Sequence, residues 1–294
     1  MSKQPTRSPV MALLLLSLAQ VAFGQAQQPA PQTEEPQAGQ AADEDLASKV
    51  VDPTAILSTL TFQNTFTPSH WGIDDKANQM LFQAVVPFKV WDVQNIGRVR
   101  VPYITSSPLG TRGLSDVALL DIVVLRQEWG NLFMGAVGDV GVYKGPGVDT
   151  FALGPTGGAV LKKRRWTYGF LNQNLFSADD VATTQIQPIL AYTFSKKLSA
   201  ALGDLQYTYD WKKDRWILLP LGFQINYIAR LAKQPMRFFV NPQYNLKNEF
   251  GSEKWTIVMG SPSSRDRDIV RVEGRTLLRF LERYSGMKPF GRHA

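Results

Sequence analysis

The 294-residue chain contains no cysteine and only two histidines, His70 and His293. These absences exclude a disulfide scaffold, a cysteine nucleophile, a thiolate metal site and a multi-histidine metal centre. Charge is scarce too: charged residues make up 19% of the chain, against roughly 25% in an average soluble domain. Past the first 24 residues no uninterrupted apolar run approaches the length of a membrane helix, about 20 residues. No cofactor, no metal and no enzymatic chemistry are expected. What the chain does hold is 11% aromatic residues, 23 glycines and a formal charge of +7.

Lys3 and Arg7 precede an apolar stretch from Val10 to Gly24 that ends in small residues. A basic start, a short apolar run and a small-residue exit describe a secretory signal peptide over residues 1–24. Residues 25–50 are rich in Gln, Ala, Pro and acid and contain no aromatic. Such a segment buries too little apolar area to offset chain entropy, so it reads as a disordered linker. An exported chain without a second helical span is a soluble β-protein or a membrane β-barrel.

Residues 51–262 read in period two. Met80, Phe82, Ala84, Val86 and Phe88 alternate with Gln79, Gln83 and Lys89. Ala201, Gly203, Leu205, Tyr207, Tyr209 and Trp211 alternate with Asp204, Gln206, Thr208 and Asp210. Ile217 to Tyr227 and Met236 to Tyr244 repeat the pattern. Apolar faces that persist for five or six positions match the roughly 9–11 residues of a tilted membrane strand. The opposite face carries Gln, Asn, Thr, Gly and isolated charges, as a wet lumen would. The fold class expected is all-β: a transmembrane antiparallel up-and-down barrel of about 12 strands.

Those strands fall near 58–66, 78–90, 96–105, 113–126, 130–143, 149–163, 165–176, 182–194, 198–209, 215–230, 235–246 and 253–261, with 143–163 the weakest stretch. Prolines at 87, 102, 188, 220 and 242 are read as bulges or irregularities, because each removes a ladder donor. Trp71, Trp91, Trp129, Trp166, Trp211, Trp216 and Trp255 fall at strand ends. That is where an aromatic girdle meets the two membrane–water interfaces.

Gln83-Ala84-Val85-Val86-Pro87-Phe88, Arg98-Val99-Arg100-Val101-Pro102-Tyr103-Ile104, Gly113-Leu114-Ser115-Asp116, Tyr209-Asp210-Trp211 and Trp216-Ile217-Leu218-Leu219-Pro220-Leu221-Gly222 carry a likeness. Over about residues 55–260 the chain resembles a bacterial outer-membrane transporter family of the phenol-degradation MetA-pathway type. The resemblance implies a porin-like barrel that passes small, hydrophobic or aromatic organic molecules, with no catalytic residues. Outer-membrane lipid, lipopolysaccharide, the barrel-assembly machinery and a small-molecule permeant are the partners it implies, with nucleic acid not among them. Barrels of this kind end on a terminal aromatic strand. Here residues 263–294 form a basic tail, in which Leu277, Leu278, Phe280 and Leu281 have helical spacing and predict a short amphipathic helix.

The remaining motifs are weighed against plainer readings. Lys162-Lys163-Arg164-Arg165 reads as a solvated periplasmic turn, and the glycines of 135–158 lack the Gly-Lys-Ser/Thr of a phosphate loop. Ser69 and His70 suggest a lipid hydrolase but have no evident orienting group. Asp74 and Asp75 read as a solvated loop. The charges expected to point inward are Lys89, Arg98, Arg100, Asp121, Asp204, Asp210, Arg230 and Arg237. Either they pair and brace a plugged lumen, or they ring a channel and select its permeant. A non-conducting structural or binding barrel is the alternative to a channel.

Overall fold

A computed structural model describes residues 54–55, 57–90, 93–141, 151–177, 181–231, 234–265 and 270–272. Twelve antiparallel strands follow one another around a barrel. They are β1 (Ser58–His70), β2 (Ala77–Val90), β3 (Val93–Ser106), β4 (Val117–Gln127, with a preceding piece Gly113–Leu114), β5 (Gly130–Val140) and β6 (Phe151–Lys163). Next come β7 (Trp166–Phe176), β8 (Ala182–Thr193), β9 (Leu198–Ala201 and Tyr207–Asp210), β10 (Arg215–Leu218, Pro220–Gly222 and Gln224–Leu231), β11 (Gln234–Asn245) and β12 (Glu253–Arg265). β12 pairs back onto β1, from Ser58↔Arg265 to Phe66↔Ile257, and closes the sheet. Closure gives each wall strand a neighbour on both sides. A short β13 (Val270–Val272) runs parallel to β2 beyond the start of β1, with Val270 opposite Phe88.

The two ends differ. At one rim consecutive strands are joined by residues 128–129, 164–165 and 194–197; at the other by 71–76, 107–112, 177–181, 211–214 and 246–252. Short turns at one rim and longer loops at the other are the usual form of a bacterial membrane barrel. The basic Lys162–Arg165 run sits at the short-turn rim, where Arg164 adopts a left-handed φ of 55°.

Alternation sorts the side chains. Phe62, Met134, Phe223 and Phe238 face outward and are exposed. Inward from β3 to β8, Ile96, Leu120, Ile122, Phe133, Val137, Val160, Leu171 and Ile189 pack into one buried apolar cluster. Gly158 makes room for this packing, since a Cβ there would lie 2.6 Å from the Phe133 ring and 2.1 Å from the Phe170 carbonyl oxygen. The inner wall is therefore divided: apolar side chains dominate it from β3 to β8, around the polar Arg98, Arg100, Gln173 and Gln187, while Gln, Asn and Thr are more frequent on β1 and β9–β12.

One further expectation is corrected: β9 is interrupted over residues 202–206, and Leu205, expected on the outer face, is fully buried. The prolines do accompany irregularities. Pro220 stands at a break in β10. Pro87, Pro188 and Pro242 keep a regular ladder on one side, opposite Ile96, Phe170 and Ile257, and fall in an unpaired stretch on the other. Pro102 lies where the β3–β4 pairing skips residues 115–116, its carbonyl accepting the Ser115 N–H at 3.0 Å. A ladder tolerates proline wherever the missing N–H had no partner to lose. Of the tail, only Val270–Val272 is described beyond Arg265; its expected helix, the signal peptide and the linker lie outside the described residues.

Candidate functional site

Two cavities lie within the lumen. The upper one, nearer the long loops, has a volume of about 230 Å³ and is lined by amides, Gln63, Gln79, Gln206, Gln243 and Asn245 among them, together with Arg100 and Glu253. The lower one, about 180 Å³, is walled by the apolar cluster on one side and by Gln83, Gln187, Arg98 and Arg237. Gln63, Asp204, Gln224 and Phe239 line both, so they form the neck between them.

The neck depends on the break in β9. At Gly203 φ is +75°, a left-handed conformation that suits glycine. A Cβ there would stand 2.1 Å from Asn241 Nδ2 and 2.7 Å from Gln224 Oε1. Asn241 Nδ2 donates to the Leu202 carbonyl at 3.3 Å and so ties the break to β11. Asp204 projects into the lumen, where Gln187 Nε2 donates to its Oδ1 at 3.1 Å. Opposite, Arg98 reaches from β3 towards β7, and its Nη2 donates to Gln173 Oε1 at 3.0 Å. Arg237 lies 5.3 Å from the Phe239 ring centroid, within cation–π range.

The lower mouth is crossed by the chain itself. Thr54 and Leu57, just before β1, are buried at 4% and 3% exposure. Asn131 on β5 donates to Thr54 Oγ1 at 2.8 Å, while Ala55 and Leu57 line the lower cavity. The segment thus passes from the β1 wall to the β5 wall beneath the cavity.

Of the eight charges expected inside, Arg98, Arg100, Asp204 and Arg237 line the cavities. Lys89 shares their parity but sits at the short-turn end of β2, opposite Gln94. Asp210 caps the turn after β9, accepting from the Lys212 and Lys213 amides and pairing with Lys213 Nζ at 3.0 Å. Arg230 lies in β10 opposite Pro235. Asp121 is a correction. It stands between Leu120 and Ile122, which face the lumen, and pairs with Gly97 and Ala136, so it points outward. Its Oδ1 is buried without a partner among the described residues. Charge suggests the lumen for an isolated acid in an otherwise apolar strand, whereas strict alternation places it outward.

The tryptophans divide between the two rims. Trp71, Trp211, Trp216 and Trp255 stand at the long-loop rim, where Tyr209 lies 4.9 Å from Trp211 and 5.4 Å from Trp216, and Tyr244 lies 4.8 Å from Trp255. Trp129 and Trp166 stand at the other, with Trp166 4.7 Å from Tyr192. Trp91 lies outside the described residues. His70 is buried, its Nδ1–H donating to the Asp75 carbonyl at 2.9 Å, which explains it as a loop anchor. Among the described residues no cluster of three or more His, Cys, Asp or Glu side chains is placed to hold a metal. Sequence reading missed Leu57, Gln63, Gln187, Gln224 and Phe239. The four that lie in strands carried only inward parity, shared with many other positions, and Leu57, which precedes β1, carried no signal.

No protein-family model matches the chain, and no curated protein does. Solved structures do. The COG4313 outer membrane channel from Pseudomonas putida F1 aligns with a TM-score of 0.51 at 13% identity, covering 71% of this chain and 94% of that one. The KdgM porin aligns at 0.49 and 9%, covering 70% and 99%. OmpF of Salmonella typhi, in complex with daunomycin, aligns at 0.37 and 8%, covering 71% and 96%. The likeness to the first is one of fold: a closed antiparallel barrel of the outer-membrane kind.

Proposed function

We propose that the chain is an outer-membrane channel of narrow capacity, passing one small organic solute at a time between two chambers. The observation that carries this reading is the pair of cavities meeting at Gln63, Asp204, Gln224 and Phe239 inside a closed barrel. The exposed apolar outer face and the tryptophans at both rims support a bilayer setting. By the usual orientation of such barrels the long loops face outward and the short turns face the periplasm. The cavities are far smaller than the open channel of a large porin, so the solute is a small molecule. The apolar wall of the lower cavity supports a permeant with an apolar or aromatic body, as the MetA-pathway resemblance implies.

The test is single-channel conductance of the refolded chain in planar bilayers, with Lys89, Arg98, Arg100, Arg230 and Arg237 neutralised one at a time. Steady conductance whose ion selectivity shifts with Arg98, Arg100 and Arg237 is the expected result. Silence from a barrel shown folded by heat-modifiable gel migration would overturn it. The second reading, a barrel that binds without conducting, is favoured by the Thr54–Leu57 segment lying across the lower mouth. Lipid hydrolysis is tested separately: esterase activity lost in His70→Ala would replace both readings.

A further inference from the structure

We propose that the lower cavity is a binding site for a small organic carboxylate, with its charged end on Arg98 and its apolar body against the side chains of β3–β8. The site deepens the channel reading and rests on it for the way the ligand arrives. Its volume is about 180 Å³. Ile96, Leu120, Ile122, Phe133, Leu171 and Ile189 form one wall. Such a surface gains by exchanging water for an apolar ligand.

Arg98 stands on that wall, two residues along β3 from Ile96. A guanidinium keeps its charge and presents a rigid fork of N–H donors. Here the fork is satisfied only by Gln173 Oε1 at 3.0 Å, and no carboxylate oxygen lies within ion-pairing distance of it among the described residues. Asp204 and Asp139 act on Arg98 at longer range, with Arg100 opposing them. Asp204 accepts from Gln187 instead, so an incoming anion reaches Arg98 without first breaking an ion pair. A carboxylate fits the fork in bidentate geometry, the strongest form of such a contact. A neutral ligand leaves the fork underused, and a cation meets both Arg98 and Arg237. The upper cavity also holds an arginine, Arg100, but two carboxylates, Asp204 and Glu253, line it, and both oppose an incoming anion.

The test is equilibrium dialysis of radiolabelled benzoate against the full chain refolded in lipid nanodiscs, with empty nanodiscs subtracted. One saturable site per barrel is expected. Arg98→Gln should weaken binding at least about tenfold, and Arg98→Lys should recover part of the loss. Lys163→Gln, which removes the same charge at the short-turn rim, should leave binding unchanged. Benzyl alcohol, an uncharged analogue, should compete at least about tenfold less well. Heat-modifiable migration checks that each variant folds, and the Arg98→Lys comparison serves if Arg98→Gln does not. Absence of saturable binding to folded wild-type barrel, equal binding by Arg98→Gln, or equal competition by benzyl alcohol overturns the site. Silent bilayers with intact Arg98-dependent binding sink the channel reading alone. Conductance without benzoate binding sinks this site alone.

Discussion

Asp121 offers a test with an unusual sign. Replacing it with valine is expected to stabilise the barrel. The carboxyl faces outward midway along β4, flanked across the ladders by Gly97 and Ala136, whose small size leaves space for a branched side chain. Its Oδ1 is buried with no partner among the described residues. A buried polar group left without a hydrogen bond costs about 1–3 kcal/mol. A cation on the lipid face at mid-bilayer costs about 2–4 kcal/mol, and an acid less. Valine also suits a pleated strand better than aspartate. Asp121→Val should therefore gain about 1–3 kcal/mol, with Asp121→Asn in between because it removes the charge but keeps the polarity. The assay is reversible urea unfolding of the barrel in lipid vesicles, followed by tryptophan fluorescence. The unfolding midpoint should rise with an unchanged slope. A lowered midpoint for Asp121→Val would refute the reasoning, because it would mean that the carboxyl has a favourable partner on the outer face.

Three other substitutions probe the lumen. Leu57→Ala removes a buried anchor worth about 2–5 kcal/mol, against about 1 kcal/mol for the Thr54–Asn131 hydrogen bond that remains. It should raise conductance and speed proteolysis ahead of β1; unchanged current and cleavage would show that the segment is held by other contacts. Gly203→Ala forces a Cβ against Asn241 and Gln224 at a left-handed φ costing about 1–2 kcal/mol. The urea midpoint should fall and the single-channel current should change, whereas a wild-type trace would separate the neck from the β9 break. Phe133→Ala, which empties a ring packed on Gly158, should cost about 3–5 kcal/mol. It should also admit bulkier solutes in a liposome-swelling assay; no change in the size limit would place the restriction elsewhere.

How much was legible is clearest by comparing strands. β2, β10 and β11 keep apolar residues outward at every second position, as period two predicts, while their inward positions mix amides with Leu81, Val85, Leu218 and Phe239. Those strands line the more polar side of the lumen. β4 reads as VALLDIVVLRQ, apolar on both faces, and such a strand carries no alternation to interpret. Its lone acid was therefore placed by charge, and Asp121 came out on the wrong side. Asp210 had the correct parity for the lumen but sits at the end of its strand, where the adjacent turn amides and Lys213 take up its carboxylate.

By itself the sequence determined that the chain is a run of antiparallel strands with an apolar outer face, turn residues at one rim and tryptophans near both. Those properties are local, because side chains alternate with the backbone and turns depend on a few neighbouring residues. Only the tertiary structure decided what fills the barrel. Phe133 meets Gly158 across a ladder, Arg98 finds Gln173 four strands away, and Asn131 holds Thr54 from the opposite wall. Each pairing joins residues from 25 to 77 positions apart. The first depends on the register of the β5–β6 ladder, and the other two on closure, which brings together positions that no local pattern marks as partners.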